Sequence, residues 1–121
     1  MPVVKLEIVE APDWTRPRDL AQRVADAMAG ALAAAPESVW VRVSTILAAD
    51  YAENSGPPGA ASPIFITILE RDPPQGAALA AEVAALTNAL AFACGRPEGD
   101  IHLIYEPPGR GRVAFGGRLV T

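Results

Sequence analysis

The second residue of this sequence carries its clearest chemical potential. Initiator methionine is normally removed when the next residue is as compact as proline, so Met1-Pro2 predicts a mature chain beginning with a free secondary amine. An α-amino group titrates at roughly 7.7–8.0 when unperturbed. Desolvation and neighbouring cations lower that value and leave a neutral amine near pH 7. Such an amine takes a proton from a hydroxyl or a carbon acid, and base catalysis is most efficient when the base titrates near the operating pH. The proline ring fixes φ, so the lone pair is aimed. Taken alone, Pro2 reads more simply as an ordinary N-terminal proline; the strand start and the duplicated pattern downstream of it turn the balance. Cys94 is the sole cysteine and His102 the sole histidine. Neither a CxxC nor a Cys/His zinc spacing is present, so neither a metal nor a cofactor is expected.

The elements that must position this amine are bounded by the totals. A length of 121 residues favours one domain over 1–121. Half the residues are hydrophobic and 20% are charged, the profile of a chain that folds. One cysteine makes no internal disulfide, and cytoplasm is the expected compartment. No apolar run approaching the roughly 18 residues of a membrane span is read, so no membrane partner is expected. Met1-Pro2-Val3-Val4-Lys5 does not open like a signal peptide. A net charge of −4 argues against nucleic acid as partner. It leaves room for a small anion held by local arginines.

Residues 3–9 (VVKLEIV) read as a strand with Lys5 and Glu7 as polar interruptions. Thr15 is the expected cap of a helix with Pro17 in its first turn, and Leu20, Val24, Met28 and Leu32 form its apolar stripe. Residues 39–47 (VWVRVSTIL) are a second strand, and residues 48–62 a loop around Asn54-Ser55-Gly56-Pro57-Pro58-Gly59. The pattern then restarts. Residues 64–70 (IFITILE) are a strand, and Asp72-Pro73-Pro74-Gln75 reads as a capping box with Asp72 as N-cap. Leu79, Val83, Leu86 and Leu90 repeat the stripe, Gly95 ends the helix, and residues 101–105 (IHLIY) are the last long strand. Val113-Ala114-Phe115-Gly116-Gly117 suggests a short terminal strand or hairpin.

LEIVE at 6–10 returns as ITILE at 66–70, and Pro36-Glu37 returns as Pro97-Glu98. The halves, about 2–47 and 63–105, are each a β-α-β unit with parallel strands and a right-handed crossover. The fold class is therefore α/β (α+β): two consecutive β-α-β units building one four-stranded sheet with two helices on one face. The sheet's other face needs a cover, and self-association supplies one.

Pro2 directly after Met1, VVKLEIVE, a helix, the strand after Pro36-Glu37-Ser38-Val39, the repeat of that unit and the glycine pair at 116–117 together resemble 4-oxalocrotonate tautomerase and its relatives. A two-unit chain of this length resembles the longer members of the tautomerase superfamily, such as malonate semialdehyde decarboxylase, cis-3-chloroacrylic acid dehalogenase and the macrophage migration inhibitory factor group. The resemblance implies a homotrimer, the mature N-terminal proline as base, and a small anionic organic acid carrying a carboxylate beside an enol or ketone. It therefore implies arginines that fork onto that carboxylate.

Arg71 is the first candidate, because it follows a strand end and precedes a helix whose N-terminus favours anions. Asp72-Pro73-Pro74 follows it, where some relatives place a second arginine. Arg42 shares a strand face with Trp40, and Trp40 stands where the small tautomerase has its arginine; an ion pair at a subunit interface suits Arg42 as well as catalysis does. His102, Tyr105, Phe115 and Tyr51 are candidates for binding substrate, each with core packing or a loop position as its plainer explanation. Val39 stands where the decarboxylase places an acid, and no arginine pair is present for dehalogenation. Keto–enol tautomerisation of a 2-oxo or 2-hydroxy acid is the reading that fits these residues best. The alternative is a non-catalytic ferredoxin-like binding module or oligomer subunit, in which Pro2 is dispensable.

Overall fold

The computed structural model describes residues 1–57, 59 and 61–121; Pro58 and Ala60, in the loop expected over 48–62, lie outside the described residues. The chain runs β1 (Val3–Val9), α1 (Leu20–Leu32), β2 (Trp40–Ile46), β3 (Ile64–Leu69), α2 (Gly76–Cys94), β4 (Ile101–Tyr105), β5 (Ala114–Phe115) and β6 (Arg118–Leu119). The four long strands form one sheet in the order β2-β1-β3-β4. β1 and β2 are parallel, as are β3 and β4, and the halves meet through an antiparallel β1–β3 pair. Both β-α-β units expected from the repeat are thus present, joined at the centre of a common sheet.

Strand alternation assigns the faces. Val4, Leu6 and Ile8 of β1 and Ile64, Ile66 and Ile68 of β3 are all fully buried, and with Leu20, Val24, Met28, Leu86 and Leu90 of the helices they form one core. At ~1.5–3 kcal/mol for each large aliphatic side chain removed from water, this layer is the main source of stability. Lys5, Arg42 and His102 lie on the opposite, helix-free face, where Trp40 and Ile104 are about half exposed (50% and 49%).

Three local expectations change. The first helix begins at Leu20 with Asp19, not Thr15, at its cap, and Pro17 lies in the preceding turn, accepting from Leu20 N–H. The box at Asp72–Gln75 does not form; Gln75 is the N-cap, in extended conformation. The reason lies in Pro73-Pro74, since a residue before proline is driven out of the helical region and two in succession postpone the helix. Asp72 is thereby released for other partners. The expectation of no membrane-length apolar run is also corrected. α2 has 19 residues with one charged side chain, Glu82, and is long and apolar enough by length and composition to cross a membrane. Nine of those residues are alanines, and the helix packs on α1 and β4.

At the far end of the sheet Arg96 is buried among backbone carbonyls. It donates to Val9 O at 2.7 Å and Ser62 O at 2.5 Å, and its guanidinium lies 4.5 Å from the Trp14 ring. Trp14 Nε1 in turn donates to Cys94 O at 2.9 Å. Burial raises the Cys94 thiol to about 11, so it is not a reactive nucleophile at neutral pH.

Candidate active site

Topology gathers one group of side chains. β1 and β2 start, and β3 and β4 finish, at the same end of the sheet. Pro2 precedes β1 there, buried, and its carbonyl accepts from Trp40 N at 3.1 Å. Glu70 and Arg71 follow β3, Tyr105 ends β4, and Glu82 reaches back from α2. These surroundings enclose an open cavity of about 640 Å³, lined by Pro2, Trp40, Glu70, Arg71, Glu82 and Phe115 among others.

The C-terminal hairpin closes one side. Gly116 and Gly117 have φ of +57° and +85°, the pair of left-handed residues that a two-residue turn with the right twist demands. Phe115 thereby meets Trp40 edge-on, with ring centroids 4.8 Å apart, and forms an apolar wall beside Pro2. The hairpin is tied to β3 through Gly109, whose N–H donates to Glu70 O at 2.8 Å. A Cβ at Gly109 would lie 3.3 Å from that oxygen, a tight contact, so the approach favours glycine. Met1 fills part of the cavity; its removal opens space next to the new amine.

Charge in the cavity is arranged in two sets. Asp72 accepts both Arg110 Nε at 2.8 Å and Arg110 Nη2 at 2.6 Å, and it also accepts Arg71 Nε at 3.0 Å. The Arg110 fork, helped by Arg71, holds the Asp72 carboxyl below its ordinary range. Among the described residues only Nε of Arg71 is engaged, and its terminal nitrogens have no partner. In the second set, Tyr105 O–H donates to Glu82 Oε2 at 2.7 Å. Glu70 is pushed up to about 7, first by burial and then by the neighbouring Glu82 carboxylate. Burial and the bond to Glu82 raise the Tyr105 phenol as well.

Of the residues nominated from sequence, Pro2, Arg71, Tyr105 and Phe115 are brought together here. Arg42, Tyr51 and His102 are not. Arg42 pairs with Lys5 in register and lines a separate cavity of about 260 Å³ on the helix-free face. His102 and Tyr51 flank Phe65 near the other end of the sheet, at centroid distances of 5.5 and 5.9 Å. The Tyr51 hydroxyl donates to Glu53 Oε2 at 2.6 Å. Tyr51 lines a larger cavity, about 860 Å³, with Trp14, Arg16 and Thr45. That cavity contains neither Pro2 nor the raised carboxyl, so its size does not make it the reactive one. Glu70 and Glu82 escape a sequence reading focused on bases and arginines. The available signal was Glu82 as the lone charge in an otherwise apolar helix.

No family model matches the sequence, and no curated protein does. Solved structures match over nearly the whole chain. A fused 4-OT, a wild-type symmetric trimer, aligns with a TM-score of 0.73 at 16% identity, covering 98% of this chain and 94% of its own. FG41 malonate semialdehyde decarboxylase, inhibited by 3-bromopropiolate, aligns at 0.70 and 18%, covering 94% of this chain and 88% of its own. The macrophage migration inhibitory factor of Oncomelania hupensis aligns at 0.73 and 16%, covering all of this chain and 83% of its own. At these identities the likeness establishes the fold.

Proposed function

We propose, from the premise that this chain has the tautomerase-superfamily fold, that it is a cofactor-independent keto–enol tautomerase of small 2-oxo or 2-hydroxy carboxylic acids, with the amine of Pro2 as general base. One observation carries the reading: Pro2, which becomes the N-terminus when Met1 is removed, lines a cavity together with Arg71, whose terminal nitrogens have no partner among the described residues. Apolar neighbours such as Trp40 and Phe115 in that cavity disfavour a charged amine and so favour its neutral form. Arg71 holds the substrate carboxylate, and the Trp40–Phe115 wall excludes water from the remainder of the substrate. Tyr105 contributes by orienting Glu82 and has no direct base role, since its phenol is raised.

The test is ketonisation of phenylenolpyruvate by purified protein whose intact mass shows Met1 removed. A rate well above buffer supports the reading; a processed protein with no rate removes it in favour of a binding module. Arg71→Ala is expected to lower kcat/KM by about 10- to 100-fold, the equivalent of one lost charge-assisted hydrogen bond, with an unchanged denaturation midpoint. Steady-state kinetics at fixed pH read this directly.

The helix-free face supports self-association, because Trp40, Ile104 and the cavity at Arg42 lie open on it. We assign that face to a homotrimer, in which Arg42, Tyr51 and His102 meet neighbouring subunits. Sedimentation velocity is expected to give three times the mass of one chain; a monomer at micromolar concentration would overturn the assignment.

A further inference from the structure

Besides the ion-paired Asp72, two carboxyl groups, Glu70 and Glu82, line the cavity that holds Pro2, and neighbouring carboxyl groups withdrawn from water favour a state in which one keeps its proton. Glu70 comes from the end of β3 and Glu82 from the second turn of α2, and both are partly buried. The charged or titratable groups around them are Tyr105 at the end of β4, Arg71 and Asp72 after β3, Arg110 from the hairpin segment, and the amine at Pro2. Asp72 absorbs Arg110 and part of Arg71, and the Glu70–Glu82 pair is left without an arginine partner among the described residues. Tyr105 breaks the symmetry of the pair, since its O–H donates to Glu82 and stabilises that residue as the anion. The shared proton therefore belongs on Glu70.

The geometry points to Glu70 as a second proton-carrying group of the site: a neutral carboxylic acid, held so by Glu82 and Tyr105, that delivers a proton to the substrate while Pro2 removes one. This rests on the tautomerase reading and deepens it from one group to two. In ketonisation, the Pro2 nitrogen takes the enol hydroxyl proton and the released O–H pair forms the carbonyl. The C=C pair takes the proton of Glu70 at carbon. Pro2 is left as the ammonium and Glu70 as the carboxylate, and one proton passes from the former to the latter through solvent to restore both. Glu82 and Tyr105 are positioning residues, acting only through Glu70.

The burial and the Glu82 charge that lift Glu70 to about 7 set the sign of the pH dependence. An acid is competent when protonated, so its contribution is complete below that pH and is lost as pH rises through it. The first test needs no substrate. Carbon NMR titration of protein labelled at the glutamate carboxyls should show one with a midpoint near 7. It should vanish in Glu70→Gln and fall toward the ordinary carboxylate range in Glu82→Gln. If every glutamate carboxyl of the wild type titrates in the ordinary range, the inference is overturned whatever the enzyme does. In the ketonisation assay, Glu70→Gln is expected to lower kcat/KM about 100-fold and to abolish the fall in rate above pH 7. Turnover that depends on Pro2 but keeps its rate and pH profile in Glu70→Gln would overturn the donor role alone. Absence of turnover in the wild type would instead overturn the tautomerase reading and the donor role with it, leaving the titration to decide where the proton resides.

Discussion

Pro2→Ala is expected to lower kcat/KM for enol ketonisation by about 10²–10⁴-fold, the usual worth of a positioned general base. The substitution keeps a compact second residue, so Met1 is still removed and an amine still forms. What changes is its character. The alanine amine is primary, and its φ is no longer fixed by a ring, so the lone pair is not held toward the substrate. The hydrogen bond from Trp40 N–H to the carbonyl of residue 2 survives, because it uses backbone only. The variant therefore keeps its fold, and circular dichroism and the denaturation midpoint serve as controls. A rate that collapses with an intact fold assigns the base to Pro2. A rate equal to that of the wild type would remove Pro2 from the mechanism. A form of the protein that retains Met1 is an independent check. Its residue-2 nitrogen is an amide without basicity, and the Met1 side chain lies in the cavity.

The second large effect is on stability. Ile66→Ala is expected to cost about 2–5 kcal/mol, from lost transfer energy plus the cavity left behind. Ile66 has no exposed surface and pairs with Leu6 on one side and Leu103 on the other, at the centre of the sheet. It lies under both helices, and strands paired on either side leave little room for collapse around a deleted side chain. The value is expected in the upper half of that range. Urea denaturation at one protomer concentration measures it, since association would make the midpoint depend on concentration. A loss below about 1 kcal/mol would mean that the site relaxes freely and that the core layer is loosely packed. Phe92→Ala is the contrasting control: its side chain is on α2 yet 85% exposed, so the same helix should tolerate its truncation.

Much of this was legible in the chain itself. Alternation in VVKLEIV and IFITILE, spacing of Leu20, Val24 and Met28, and recurrence of the unit after some sixty residues together determine two parallel β-α-β units, because periodicity reports directly which face is buried. The glycine pair announces the hairpin for the same kind of local reason. The place of Pro2 directly after Met1 was legible as well, and the proposed base rests on it. Local order misled where adjacent residues compete. Asp72 looked like a helix cap, but Pro73-Pro74 displaced the helix start and gave its carboxylate to Arg110, 38 residues away. Only the tertiary structure decided the rest of the site. The antiparallel β1–β3 pair brings the start of β1 against the end of β3, and so sets Pro2 in one cavity with Glu70 and Glu82, the latter held by Tyr105. The same pairing sends His102 and Tyr51 toward the opposite end of the sheet. Sequence spacing records which face a strand residue takes, but not which strand lies beside it or in which direction. The proposed pairing of Glu70 with Glu82 depends on that non-local adjacency.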